Sequence, residues 1–282
     1  MSQIYEALKQ SEKDGSATTA LREAAPSKLA RPTIEVANAV NEFEDQRLTA
    51  SPSLQKPFVA LTDQNSLASE KFRILANRLA YLARAQKLKV IQLTSAVAGE
   101  GKSVVAANLS VMLSRRHEER VLLVEGDVHR PSQNSIFGLP AQPGLGEWWE
   151  SSSVSLPKLF QIDDLRLWFL PAGHTTHPTA MLQSSRLPRL VNDLRDHFDW
   201  IIIDSPPMLP LADTNLWARW ADGTLLIVRE GMTPKRALQK GIESLDNPKI
   251  VGVVLNDAME GQRAQYYAKY YGARKASELS AK

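Results

Sequence analysis

The residue types best suited to chemistry cluster in one loop, Ser95-Ala96-Val97-Ala98-Gly99-Glu100-Gly101-Lys102-Ser103. Gly99 and Gly101 permit backbone angles that a side chain forbids, so successive N–H groups can turn inward around an anion. Lys102 brings a positive point charge to the β- and γ-phosphates of a triphosphate, and the Ser103 hydroxyl is placed to ligate Mg²⁺. Gly99, Glu100, Gly101, Lys102, Ser103 and Val104 together form the candidate nucleotide cradle. A helix starting at the end of the loop adds its own partial positive charge beneath the anion.

Three acids complete the chemistry. The run VLLVEGDVHRP places Glu125 and Asp127 at or just past the end of an apolar strand, and FDWIIIDSPP does the same for Asp204. An acid emerging from a buried strand is costly unless it meets a cation or donor. Mg²⁺ is the obvious cation, with Ser103, Asp127 and Asp204 as its candidate holders. Plainer alternatives are a turn-forming Asp204 ahead of Ser205-Pro206-Pro207 and an Asp127–Arg130 ion pair. Phosphoryl transfer needs cradled phosphates, a metal and a group to orient the nucleophile. Lys102, Ser103 and Asp204 meet the first two needs, and Asp127 or Glu125 can take a proton or hold a water. The residues alone therefore point to a Mg-dependent ATPase or kinase.

The elements that must position these residues follow from periodicity. Apolar runs at Leu88–Thr94, Val121–Glu125, Leu165–Leu170, Trp200–Asp204, Thr224–Val228 and Ile250–Leu255 read as strands. Helical patterns fall at Val104–Leu113, Pro178–Arg195, Leu211–Trp220 and Pro234–Leu245, and a further helix runs from a Ser66 cap to about Gln86. Strands without polar alternation belong to a mainly parallel sheet covered on both faces. The expected fold is α/β, a doubly wound three-layer sandwich, with ligands at the carboxyl ends of the strands.

Residues 1–13 read as a short docking helix, for the chain's own body or for a partner. Residues 14–56 read as a flexible linker, 57–260 as the catalytic domain and 261–282 as a flexible tail. The chain has 282 residues, 43% hydrophobic and 23% charged, with a net charge of +3. That balance is ordinary for a soluble globular protein and gives no nucleic-acid footprint. Cysteine is absent, which excludes disulfides and thiolate chemistry. No apolar run nears the ~18 residues of a membrane span, and the N-terminus lacks a signal-peptide core. A cytoplasmic location is expected. The five histidines lack metal-ligand spacing. Trp148 and Trp149, in GLGEWWESS, form a short amphipathic turn that packs on the core or touches a partner.

Together these motifs resemble the bacterial tyrosine kinases of exopolysaccharide and capsule assembly, P-loop proteins related to the MinD/ParA ATPases. The matching pieces are SAVAGEGKS, VLLVEGDVHRP, LPAG at Leu170–Gly173, FDWIIIDSPP, VGVVLN ending at Asn256, and a terminal tyrosine cluster. The resemblance implies that Lys102 and Ser103 bind the phosphates of ATP and Mg²⁺. Glu125, Asp127 and Asp204 would manage the metal and activate a tyrosine hydroxyl. Asn256 would recognise the adenine base, its plainer alternative being a strand-end turn. Tyr266, Tyr267, Tyr270 and Tyr271 would be the phosphoacceptors, presented between subunits of a ring. The partner implied is a membrane chain-length regulator, which would hold the protein at the inner membrane.

The tail supports this by composition, since residues 262–282 hold five basic residues and one acid with little aliphatic content. An aromatic helix packed on the core is the alternative. Departures from the family pattern are Glu125 for Asp, Ala98 for Pro, His129 for Arg, and Ala76 at the last position of the Glu70-x-x-Arg73-x-x-Arg assembly motif. They point to weakened ring assembly or lowered activity. Two other readings stay open, a MinD/ParA-like positioning ATPase and a feebly active nucleotide-binding regulator of a membrane exporter.

Overall fold

Strands made of uninterrupted Val, Ile and Leu have to be covered on both faces. The structure, a computed structural model, describes residues 46–52, 58–116, 119–151, 155–209, 213–246 and 249–258. In chain order its elements are β1 (Arg47–Leu48), α1 (Val59–Thr62), α2 (Leu67–Gln86), β2 (Val90–Ser95), α3 (Lys102–Ser114), β3 (Val121–Glu125), α4 (Gln133–Phe137) and α5 (Leu145–Glu150). There follow β4 (Phe160–Ile162), β5 (Leu167–Leu170), α6 (Pro178–Gln183), α7 (Arg186–Arg195), β6 (Trp200–Asp204), α8 (Asp213–Trp220), β7 (Gly223–Arg229), α9 (Lys235–Glu243) and β8 (Ile250–Asn256).

The strands form one sheet in the order β1-β4-β5-β3-β6-β2-β7-β8. Every neighbouring pair is parallel except β4 with β5. One face packs on α1, α2 and α3 through Leu79, Ala83, Leu109, Leu113 and Ile202. The other carries α5 to α8 through Leu145, Leu182, Leu190, Ile203 and Trp217. Helix α3 is apolar on nearly all sides and is buried accordingly. Ser66 caps α2 as expected, accepting a hydrogen bond from the Ser69 N–H at 3.2 Å.

Three expectations change. The linker assigned to 14–56 contains β1, whose backbone pairs in parallel with β4, so the ordered body starts before residue 57. The β4 strand and helices α4 and α5 had no anticipated place. The single helix over Pro178–Arg195 is two helices, with Ser184 in an extended conformation at ψ 147. Pro188 explains the break: its ring would collide with the carbonyl of Ser184 and it has no N–H to donate. In the first turn of α7 it costs nothing.

Sheet order does the positioning. β2 lies between β6 and β7, and β6 lies between β2 and β3. Register sets Glu125 beside Asp204 and Asp204 beside Leu93. The phosphate-type loop after β2 and the acids ending β3 and β6 are thus gathered at one edge of the sheet.

Candidate active site

Gly99 and Gly101 both take positive φ, at 87° and 88°, which is the freedom the loop requires. A Cβ on Gly101 would lie 2.2 Å from the Asn256 side-chain nitrogen, which itself donates to the Glu100 carbonyl at 2.9 Å. The Gly101→Ala variant combines backbone strain with a collision. We expect it to weaken nucleotide affinity by about 5- to 150-fold, since strain of about 1–3 kcal/mol must be relieved by moving the loop; a fluorescent-nucleotide titration measures this. The Glu100 carboxylate folds back into the loop, accepting from the Val97 N–H at 2.7 Å and from the Thr233 hydroxyl. Glu100 is 1% exposed, so its side chain braces the loop and only its backbone can meet a phosphate.

Lys102 Nζ lies 3.0 Å from Asp127 Oδ2, 3.4 Å from Asp204 Oδ1 and 3.2 Å from Ser103 Oγ. Four of the residues singled out from sequence therefore meet at one point. Burial alone would lower the Lys102 pKa, but the Asp204 and Asp127 carboxylates outweigh it and hold the ammonium above its ordinary value. Asp204 is fully buried. Burial pushes its carboxyl upward despite Lys102, Ser103 and Gln133 beside it.

Glu125 is placed differently from the other acids. Its two oxygens accept the backbone N–H groups of Ser132 at 2.9 Å and Gln133 at 2.7 Å, at the start of α4. Burial, then the charge of Asp204, pushes its carboxyl up to about 8. Both acids hold a proton more tightly folded than unfolded. For Glu125 the stability this contributes is therefore complete below the unfolded value near 4.5 and is lost as pH rises to about 8, and for Asp204 the sign is the same. We expect the urea midpoint of metal-free protein to fall between about pH 5 and about pH 9, and Glu125→Gln to flatten that slope.

Gln133 escaped the sequence reading. Its amide donates to Asp204 Oδ2 at 2.8 Å and to the Ser103 carbonyl at 3.0 Å. It ties β6, α3 and α4 together, while its own Oε1 is buried with no partner among the described residues. The only signal for it was its place just after Pro131-Ser132, a helix-start pattern. Arg229 and Thr233 were also missed; Arg229 Nη1 donates to the Gly99 carbonyl at 3.3 Å.

A cavity of about 640 Å³ opens here, lined by Gly99, Lys102, Ser103, Asp127, Arg130 and Leu209 among others. That volume suits a nucleotide. The donor set is all oxygen, as a hard divalent cation prefers, and the orphaned Gln133 oxygen is an acceptor waiting for a donor such as a metal-bound water. The residues fit Mg²⁺ and a triphosphate.

His129 pairs with Asp213 at 2.7 Å and lines the cavity. Asp127 Oδ1 accepts the Arg130 backbone N–H at 3.1 Å, and no ion pair joins the two side chains among the described residues. Glu70 and Arg73 form an ion pair on α2, while Ala76 is 1% exposed against the core, where an arginine would have no room. Trp148 and Trp149 are half-buried against the core, and Arg186 stacks over Trp148 at 4.4 Å. The docking helix 1–13 and the cluster Tyr266, Tyr267, Tyr270 and Tyr271 lie outside the described residues. No helix among the described residues is long and apolar enough to cross a membrane.

No family model matches the chain. It is 29% identical over 224 residues to the tyrosine-protein kinase YwqD of Bacillus subtilis, covering 78% of this chain and 93% of that one. Identity is also 29% to the putative tyrosine-protein kinase CapB of Staphylococcus aureus, over 73% of this chain and 91% of the other.

The chain is a relative of the bacterial tyrosine kinases.

This kinase relative also matches the succinoglycan biosynthesis transport protein ExoP of Rhizobium meliloti at 28% identity, spanning 30% of that longer protein. Among solved structures, the BceF tyrosine kinase domain superposes with a TM-score of 0.64 at 26% identity, over 79% of this chain and 87% of that one. The cell division ATPase MinD of Pyrococcus furiosus shares the fold, with a TM-score of 0.50 over 62% of this chain and 74% of that one. The fold is the P-loop ATPase fold, as expected.

Proposed function

We propose that this chain is a Mg-ATP-dependent protein-tyrosine kinase that phosphorylates its own C-terminal cluster, Tyr266, Tyr267, Tyr270 and Tyr271. The observation that carries this reading is the meeting of Lys102, Ser103 and Asp127, which line a nucleotide-sized cavity, with the buried Asp204 behind them, in a chain related to named tyrosine kinases. The loop N–H groups and Lys102 hold the β- and γ-phosphates. Ser103, Asp127 and Asp204 would hold Mg²⁺, which would supply positive charge to the transferring phosphoryl group. Lys102, paired with the two aspartates in the structure, moves its charge to the phosphates when nucleotide enters.

Asp127 accepts the tyrosine hydroxyl proton as the phenol oxygen bonds to the γ-phosphorus and ADP leaves. Glu125 is a positioning residue, because its carboxylate is spent on the α4 backbone and so fixes Gln133. Asn256 braces the loop through the Glu100 carbonyl, and the resemblance to the kinase family supports a role for it in recognising the base. The role is regulation of polysaccharide polymerisation and export, supported by the named function of ExoP. The partners are a membrane-bound co-polymerase and further copies of the chain, with the protein held peripherally at the inner membrane.

Incubating the full chain with Mg-ATP, followed by phosphate mapping by mass spectrometry, tests this reading. Phosphate on Tyr266–Tyr271 is expected. Steady ADP release without phosphotyrosine would instead identify a positioning ATPase, and nucleotide binding with neither reaction a regulator.

A further inference from the structure

A second concavity, of about 330 Å³, opens between α2 and the end of α3, lined by Gln64, Arg73, Asn77, Met112, Arg115 and Arg116. It contains three guanidinium groups and no acidic side chain. Each arginine is anchored through one terminal nitrogen. Arg73 Nη1 pairs with Glu70, Arg115 Nη1 donates to the Ala60 carbonyl at 2.6 Å, and Arg116 Nη1 donates to Asn77 Oδ1. The second terminal nitrogen of each meets no acceptor among the described residues. Among the described residues Arg116 Nε is buried without a hydrogen bond, with Glu119 Oε2 at 3.6 Å as its ionic neighbour.

Among the described residues, three cations thus face two partly engaged carboxylates, Glu70 and Glu119. Burial, and after it the neighbouring charge of Arg73, pulls the Arg115 guanidinium below its ordinary pKa. Planar guanidinium forks are the groups that bind phosphoryl oxygens bidentately. Met112 supplies an apolar wall of the kind an aromatic ring packs against.

We propose that this three-arginine pocket is a binding site for a phosphate monoester, with phosphotyrosine as its ligand. The phosphotyrosine source is the chain's own tail cluster, and that part rests on the kinase reading above; the pocket's affinity for a phosphoryl group does not. Before phosphorylation the basic tail, with five basic residues and one acid in 262–282, is repelled by the arginines. Each phosphate adds about −1.5 to −2 charge and reverses that sign. The pocket therefore reads the phosphorylation state of the tail and docks the product.

The test titrates the full dephosphorylated chain, its cradle filled with Mg-ADP, with three probes: a phosphotyrosyl peptide spanning residues 262–275, the same peptide unphosphorylated, and inorganic phosphate. We expect the phosphopeptide to bind at least about tenfold more tightly than its unphosphorylated form, and Arg115→Gln to remove about tenfold, the worth of one charge-assisted contact. Arg73→Gln should weaken binding likewise, and its half-exposed side chain makes that variant safe for the fold. Inorganic phosphate binding as tightly as the phosphopeptide, with the same arginine dependence, would keep the pocket but overturn the phosphotyrosine ligand. Binding of none of the probes, or binding indifferent to both arginines, would overturn the site. The titration is independent of activity, so a chain that makes no phosphotyrosine yet binds the phosphopeptide would fail the kinase reading alone.

Discussion

Lys102→Met is expected to lower phosphate transfer to tyrosine by about 10²–10³-fold, because it deletes a buried cation at the charge that develops in transfer. It carries a second, structural effect. Lys102 is the partner of Asp127 at 3.0 Å and Asp204 at 3.4 Å, and removing one side of a buried pair leaves the other charge uncompensated. About 3–5 kcal/mol of metal-free stability is at stake. The carboxyls escape part of that cost by taking up a proton, so the loss is largest at alkaline pH and shrinks as pH falls. Radiolabel transfer from ATP and urea titrations at two pH values measure the two effects separately.

Asp204→Asn should have an equally large effect on transfer, about 10²–10³-fold, with the opposite effect on the fold. Asp204 is fully buried and its carboxyl is pushed upward by that burial. Asparagine removes the buried charge while its oxygen still accepts from the Gln133 amide, and Lys102 keeps Asp127. Stability should stay within about 1 kcal/mol of the wild type or rise, as when buried ionic groups give way to neutral ones. Metal-dependent nucleotide binding should weaken together with the rate. A lysine variant that is inactive and destabilised, next to an aspartate variant that is inactive and stable, separates catalytic from structural roles at one point in space.

Much of this arrangement was legible because it follows from local rules. The glycines of the loop, the apolar runs of β2, β3 and β6, and the acids ending the latter two are adjacent in sequence to the features that betray them. The convergence of Lys102, Ser103, Asp127 and Asp204 then follows from strand order. What could not be read depends on contacts between distant segments. Arg47–Leu48 and Phe160–Ile162 are too short to show a period, and they become strands only by pairing with distant segments, the first with the second and the second also with β5. Gln133 matters because β3, α3 and β6 bring three chain segments within reach of one amide, and nothing in its neighbours announces that. Glu125 shows the converse. Its position was read correctly, but its extra methylene lets the carboxylate turn to the start of α4, a choice set by the backbone donors waiting there. The break at Ser184 was available from Pro188.

The central claim is that one metal-bound triphosphate sits between Lys102, Ser103 and the two aspartates. Crystals grown with a non-hydrolysable ATP analogue and Mn²⁺ in place of Mg²⁺ test it directly through the anomalous signal of the metal. The expected result is a single peak about 2.1 Å from Ser103 Oγ, with Asp204 and Asp127 on its near side and Lys102 turned to the phosphates. A metal found elsewhere, or a nucleotide bound with Lys102 still locked between Asp127 and Asp204, would contradict it.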